Sequence, residues 1–501
     1  MPGFAIENFG CRAARADGED AARHLEALGF TEQPLASASV VIVNTCTVTA
    51  QADRDARAFL RRIRRRNPEA RILVTGCYAQ RAPEEVAALD GVTAVVGNSH
   101  KALLPSVAAR LVANPDPAAM PNTDAPAYTG AAPVPAAMPG TASPLLPPAR
   151  LLGSAAIWAD DAFAHSTIGS SGLSHWSQAH PQTRPNLKIQ EGCNNRCSFC
   201  VIPFTRGASR SMPPERVLAE VGAFVAAGGR ELVLSGINLG RWGRDLPSPA
   251  TLASLLRQIL HQTPLERLRL SSIEPMDWTP ELIALLADPR IASHAHLPLQ
   301  SGSDAVLRRM HRRYRPWHYA DRVRALVAAC GDSLALGADV MVGFPGESDD
   351  EFAETREFLE SQPFTYLHLF PFSPRPSTPA AALHAAAAVS PAVVAHRMDE
   401  LRQLARRQNA AFRQRMQGRQ LAAITLHTPP ELRAQTGVKS SAEANVQTGI
   451  QTGNPAGTLA LTENFLEYIL DAELDSNRSI LLQPVSATTA TLVKSQGNPA
   501  P

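Results

Sequence analysis

The sequence predicts an α/β chain of three domains: a parallel α/β domain at the N-terminus, a central partial barrel of six βα units, and a small C-terminal β domain. Strand-like runs alternate with amphipathic helical stretches over the first hundred residues and again from about residue 183 to 416. A Pro- and Ala-rich stretch separates the two series, and the tail turns to alternating Thr, Val and Leu with turn residues. At 501 residues the chain is also too long for one ordinary hydrophobic core.

In the first domain, 1–114, the expected strands are Phe4-Ala5-Ile6, Val40-Val41-Ile42-Val43, Arg71-Ile72-Leu73-Val74 and Thr93-Ala94-Val95-Val96, with a helix from Arg15 to Leu28. Strands alternating with helices imply a parallel sheet. Residues 115–182 lose charge and periodicity, as in Ala131-Ala132-Pro133-Val134-Pro135, and read as a linker or insertion. The central domain, 183–416, has expected strands near Leu187 to Gln190, Glu231 to Ser235, Arg267 to Ser271, Ala295 to Leu299, Ala338 to Val342 and Tyr366 to Phe370. A charged helix from about Val394 to Gln417 leads into the β domain, 417–495, and 496–501 read as a disordered tail.

A 45% hydrophobic and 19% charged composition is that of a soluble globular protein. No apolar run approaches the roughly 20 residues that span a bilayer, and the N-terminus lacks a secretory signal, so a cytoplasmic protein without a membrane partner is expected. A net charge of +2 gives no global field for a polyanion, so a nucleic-acid surface must be a local patch. The densest candidate is Arg61, Arg62, Arg64, Arg65 and Arg66, following Arg54 and Arg57: phosphate contacts or a solvated basic face. The run from Arg308 to Arg315 offers the same two readings.

The seven cysteines carry the sharpest signal. Cys193, Cys197 and Cys200 are separated by three and then two residues, and three thiolates on so short a loop can hold three corners of a 4Fe-4S cube. The fourth iron stays open, as a catalytic metal centre requires. A zinc knuckle is the alternative, but it needs a fourth ligand nearby, whereas His180 lies in the linker-like stretch and His261 is distant. Cys11, Cys46 and Cys77 each lie just past the carboxyl end of an expected strand. In a parallel sheet those ends share an edge, so the three converge into a second cluster site unless they are isolated core residues. Cys330 ends the apolar run Ala325 to Ala329 and reads as core. Three loops at barrel strand ends, Ser235-Gly236-Ile237-Asn238, Leu297 to Gly302 with Gln300, and Val342 to Glu347, read as pocket walls or plain turns. Glu274 reads as a ligand for a cofactor ribose or amino group, or as a solvated loop acid.

The cysteine loop, with Phe199 just before its last cysteine, resembles the radical S-adenosylmethionine superfamily. Gly10-Cys11, Val43 to Thr49, Gly76-Cys77-Tyr78-Ala79-Gln80, Val96 to Lys101, Arg206-Gly207 with Arg210-Ser211, and His368 to Arg375 resemble the methylthiotransferase family over nearly the whole chain. That resemblance implies two 4Fe-4S clusters, on Cys193, Cys197 and Cys200 and on Cys11, Cys46 and Cys77. It implies two S-adenosylmethionine molecules per turnover, with Phe199, Ser235, Gly236, Glu274 and Gln300 as expected contacts. One molecule methylates a sulfur of the auxiliary cluster and the other supplies the 5′-deoxyadenosyl radical. The implied partners are tRNA, contacted in part by a TRAM-like C-terminal barrel, and a reducing donor of flavodoxin or ferredoxin type. The motifs look most like the branch converting N6-threonylcarbamoyladenosine, at position 37 beside the anticodon, to its 2-methylthio derivative. Relatives acting on isopentenyladenosine in tRNA, or on an aspartate of a ribosomal protein, share the core motifs, and a non-catalytic iron-sulfur module is the reading of a different class. Three departures stand out: Ala14 replaces a usual Asn, Ser377 a usual glycine, and the insertion from Pro115 is long.

Overall fold

The computed structural model describes residues 1–113, 149–153, 155–163, 168–169, 173, 176–177, 182–427 and 457–493. The chain forms two compact units: Met1–Gly172 with Lys188–Ser211 and Ser373–Ala381, and Leu173–Leu187 with Met212–Phe372 and Ala382–Pro501.

The first unit is built on a seven-stranded sheet of order β2-β1-β3-β4-β5-β7-β6. Its strands are β1 (Gly3–Asn8), β2 (Thr31–Glu32), β3 (Val40–Thr45), β4 (Arg71–Gly76), β5 (Val92–Gly97), β6 (Arg150–Leu152) and β7 (Ala155–Trp158), all parallel to their neighbours except β6. Two-sided burial explains the unbroken apolar runs. Val41, Val43, Ile72 and Val74 pack with Phe59, Leu60 and Ile63 on one face, while Val40, Ile42 and Leu73 pack with Leu25, Leu104 and Val107 on the other. Helix α1 is Arg12–Ala27, and α2 (Ala50–Arg66) is capped by Thr49, whose side chain accepts from the Ala52 N–H. The α2 residues Ala56, Phe59, Leu60 and Ile63, at helical spacing, are its buried stripe, leaving arginines on the other side.

The sequence reading placed no strand between 115 and 182, yet β6 and β7 lie there and extend the sheet. The run Ala155–Trp158 is wholly buried beside β5, but four Ala-rich residues are too short to show periodicity against that composition. Much of the remaining stretch, and all of 496–501, lies outside the described residues.

In the second unit, β10 (Glu231–Gly236) pairs in parallel with β11 (Arg267–Leu270), and β12 (His294–His296), β13 (Ala335–Val342) and β14 (Tyr366–Pro371) form a parallel ladder. In the first unit, the end of β8 (Asn186–Glu191) pairs antiparallel with β9 (Arg210–Ser211) at Gln190–Glu191. Helices Leu252–Gln262, Pro316–Cys330 and Asp349–Ser361 connect the strands, as the alternating pattern requires. Strand β12 is shorter than expected, although the Leu297 and Leu299 N–H groups still donate to the Gly337 and Asp339 carbonyls of β13.

The tail closes into a barrel of order β15-β16-β17-β19-β18: β15 (Leu421–Thr425), β16 (Leu459–Thr462), β17 (Glu467–Leu470), β18 (Ser479–Pro484) and β19 (Thr489–Leu492). Closure leaves no unpaired sheet edge. Phe412 and Met416, at the end of the helix Pro391–Met416, fill its core with Tyr468 and Leu482. Buried Arg269 joins barrel and strands: it donates to Glu231 at 3.0 Å and to the Glu463 and Thr462 carbonyls at 3.1 Å, and its guanidinium lies 5.3 Å from the Phe465 ring centre. Burial pulls Arg269 down to about 10 even though Glu231 holds it up.

Arg269→Met leaves Glu231 the longer contacts of Arg267 at 3.4 Å and Arg184 at 3.7 Å, and should destabilise the protein by about 1–3 kcal/mol in denaturant melts. Arg269→Met with Glu231→Met should recover little of that loss, because Arg184 and Arg267 then lose their shared carboxylate.

Candidate functional site

Parallel register brings three cysteine loops to one sheet edge. Asn8 is level with Asn44, Asn44 with Thr75, and Gly76 with Gly97, so the segments after β1, β3 and β4 leave side by side. Side chains lock the strand ends laterally: Thr45 donates to the Thr75 carbonyl at 2.5 Å, Thr75 to that of Val96 at 2.6 Å, and Asn44 to that of Ala14 at 2.6 Å. A Cβ on Gly76 (φ 94°) would stand 2.3 Å from the Thr45 carbonyl oxygen, and one on Gly10 (φ 105°) 2.9 Å from the Cys46 sulfur. Both positions demand glycine.

Cys46 and Cys77 are buried and Cys11 is exposed. Burial, then the nearby Cys77 and Cys11, push the Cys46 thiol up to about 12. Three such thiols fit the iron cluster their chemistry implies, because a bound cation cancels the repulsion among their thiolates. Donors already face one sulfur: Arg206 Nε lies 3.3 Å and Asn98 Nδ2 3.5 Å from Cys77 Sγ. Local sequence reading missed Arg206, since its partner is 129 residues away, although it stood inside a quoted motif.

Cys193, Cys197 and Cys200 are half-buried on their loop, as is Phe199. The Cys193 N–H donates to the Gly207 carbonyl at 3.1 Å, the Cys200 N–H to that of Cys197 at 3.2 Å, and the Asn195 N–H points at Cys193 Sγ from 3.4 Å. Three thiols so held, with an N–H on one sulfur, fit the second cluster. The segment Ser373–Ala381 reaches both cysteine sets. Arg375 donates to Asp53 at 2.8 Å and to the Thr47 carbonyl at 3.2 Å, the Ala50 N–H donates to Ser373, and the Ala380 N–H donates to the Ser198 carbonyl.

In the second unit, Ser235 and Gly236 end β10. Among the described residues, the hydroxyl of Ser235 and the side-chain oxygen of Gln300 are buried without a hydrogen-bond partner, and Gln300 has φ 70°. An orphaned acceptor on a left-handed, non-glycine residue is strain of the kind functional sites hold, and fits a polar cofactor. Glu274 is engaged bidentately by Arg312, at 2.6 and 2.9 Å. The Val342–Glu347 loop is anchored by Glu347, which accepts from the Gly343 N–H at 2.9 Å and from Arg397 at 2.8 Å.

Three residues that sequence reading did not join meet across β12, β13 and β14. Asp339 lies 3.4 Å from His296 and 3.2 Å from His368, and the ligand-capable atoms of the three fall within 4.8 Å of one another. The two histidines, opposing burial, hold the Asp339 carboxyl well below its usual range. Their register on adjacent strands was the only available signal.

Arg61, Arg62, Arg64, Arg65 and Arg66 are all exposed on α2, and among the described residues none forms an ion pair. The second basic run differs: Arg309 pairs with Glu351, Arg312 with Glu274, and Arg308 and Arg315 with Asp304. Cys330 is half-buried at its helix end, and burial pushes its thiol up to about 11. No single helix among the described residues is long and apolar enough to cross a membrane.

Residues 187–359 match the radical SAM superfamily, and residues 3–97 match the family described as uncharacterized protein family UPF0004. The threonylcarbamoyladenosine tRNA methylthiotransferase MtaB of Bacillus subtilis is 34% identical over 76% of this chain and 76% of its own. That of Aquifex aeolicus is 31% identical over 84% and 92%. The tRNA-2-methylthio-N(6)-dimethylallyladenosine synthase of Geobacter metallireducens is 33% identical over 75% and 77%. Among solved structures, the radical S-adenosylmethionine methyltransferase TsrM of Kitasatospora setae superposes with a TM-score of 0.51 over 76% of this chain and 77% of that one, at 19% identity, which shows a shared fold. Because relatives of this identity span three quarters of it or more, the chain belongs to the radical S-adenosylmethionine methylthiotransferase family.

Proposed function

We propose that the chain methylthiolates tRNA, converting N6-threonylcarbamoyladenosine beside the anticodon to its 2-methylthio derivative, with an auxiliary 4Fe-4S cluster on Cys11, Cys46 and Cys77. The observation that carries this reading is the convergence of those three cysteines in the unit that also holds Cys193, Cys197 and Cys200. When bound, the clusters and S-adenosylmethionine supply the electron, the carbon radical and the methylthio group. The chain's own residues hold and orient them. Cys193, Cys197 and Cys200 would hold one cluster through three irons, leaving one open for S-adenosylmethionine. Arg375, through Asp53 and the Thr47 carbonyl, fixes the loop after Cys46. Within the second unit, Ser235 and Gln300 offer buried polar atoms and Gly236 lets backbone approach, as proposed S-adenosylmethionine contacts; Phe199, beside Cys200, is a further proposed contact. Glu274 would act on it only in concert with Arg312.

Exposed Arg61, Arg62, Arg64, Arg65 and Arg66 are the proposed phosphate contacts, and the closed C-terminal barrel is the proposed second RNA contact. A low-potential donor of flavodoxin or ferredoxin type would supply electrons. The relatives' names support the tRNA substrate and include both the threonylcarbamoyl and dimethylallyl branches at similar identity; the His368 to Arg375 motif favours the former.

Deletion of the encoding gene should abolish 2-methylthio-threonylcarbamoyladenosine and accumulate its precursor in nucleoside mass spectrometry of total tRNA, with rescue by wild type but not by Cys46→Ala or Cys197→Ala. Loss of the isopentenyl derivative instead would move the substrate to the other branch, and an unchanged tRNA profile would point to the ribosomal protein. Arg375→Ala should lower stability by about 1–3 kcal/mol in urea melts, Arg81 still partnering Asp53. Changing Arg61, Arg65 and Arg66 together to Gln should weaken tRNA binding and flatten its salt dependence by about 0.7–0.9 in slope per lost phosphate contact.

A further inference from the structure

Beside Cys77 lies a set of buried charges that do not cancel. Lys101 contacts Glu191 at 2.6 Å and Asp17 at 3.1 Å; Lys188 contacts Glu191 at 2.5 Å and also Asp17; Arg206 contacts Glu191 at 2.6 Å and Asp17 at 3.1 Å. No side chain of the five is more than 11% exposed. Three cations against two carboxylates leave a surplus of one positive charge. Such a surplus in a low-dielectric interior is costly unless an anion adjoins it. The group it adjoins is Cys77, to whose sulfur Arg206 Nε donates at 3.3 Å.

We propose that Asp17, Lys101, Lys188, Glu191 and Arg206 form the fixed counter-charge of the auxiliary cluster, delivered to Cys77 by Arg206, and that this charge sets the cluster's reduction potential. The inference rests on reading Cys11, Cys46 and Cys77 as ligands. Three thiolates on a 4Fe-4S core of charge 2+ carry one net negative charge, which matches the surplus. One-electron reduction adds a second negative charge, so a nearby cation and a hydrogen bond to the ligand sulfur both favour the reduced form. Arginine suits the position because its fork reaches sulfur through Nε and both carboxylates through Nη1 at once, which a lysine point charge cannot do. Arg206 is thus a positioning residue that acts through Cys77. A purely structural network would give stability losses without a signed electrostatic effect.

The test uses the full chain with Cys193, Cys197 and Cys200 changed to Ala, reconstituted anaerobically with iron and sulfide and titrated with dithionite while the reduced cluster is followed by electron paramagnetic resonance. Failure of this background to bind a cluster would remove the auxiliary-cluster reading and the inference with it. With a cluster present, Arg206→Gln should make reduction at least tenfold less favourable, a fall of about 59 mV for one electron. Asp17→Asn raises the surplus charge and should shift the potential upward. Opposite signs support the proposal; shifts of the same sign, or none, overturn it. If Arg206→Gln does not fold or load, Asp17→Asn decides alone: an upward shift supports the counter-charge, while no change or a fall overturns it.

Discussion

Parallel pairing among β1, β3, β4 and β5 is the constraint on which the first unit's chemistry depends. A parallel strand must deliver its following loop to the same edge as its neighbours, so cysteines 35 and 31 residues apart become neighbours without any local motif. The edge is then stiffened by bonds that ladder pairing alone does not supply, from Thr45, Thr75 and Asn44 to carbonyls on adjacent segments. A cluster site needs that stiffness, because thiols that must meet one rigid inorganic core cannot wander by even an ångström. Gly10 and Gly76 show how close the backbone comes: a methyl group at either would collide with the next loop.

The sequence reveals what is periodic or locally spaced. Apolar runs of three or four located β3, β4 and β5, and the cysteine spacing located the radical-type loop. Non-local features were illegible for a physical reason. Arg206 meets Asp17 across 189 residues, Arg375 meets Asp53 across 322, and no pattern within a helical turn or a strand announces either pair. The same blindness made two basic runs look alike. In the run from Arg308 to Arg315, Arg309 and Arg312 are committed to carboxylates from other segments and Arg308 and Arg315 to the nearby Asp304, whereas the α2 arginines face outward. Composition misled at β7, where an alanine-rich setting concealed a strand that burial beside β5 makes obligatory.

The departure at Ala14 is also clearer in place. An Asn there is replaced by a buried methyl, but its carbonyl still receives Asn44, which also donates to Asn8, so the strand ends stay tied. Polarity near the cysteines is instead concentrated on the Cys77 side, where Arg206 and Asn98 both donate toward sulfur.

A buried network of five charges is a poor device for stability alone, since well-packed apolar side chains of similar volume often do as well or better. Its retention beside a thiol set makes sense if the charges have electrostatic work to do. On the proposed reading, a bound cluster would set a permanent anion opposite the surplus cation. Desolvation of Arg206, Lys188 and Glu191 has already been met in folding, so their interaction with the proposed cluster would be made without reorganising water. On the proposed reading, the fold of this unit and the electronic state of a cluster on Cys11, Cys46 and Cys77 would be coupled through the same few side chains, and a change that disturbs either should be felt in the other.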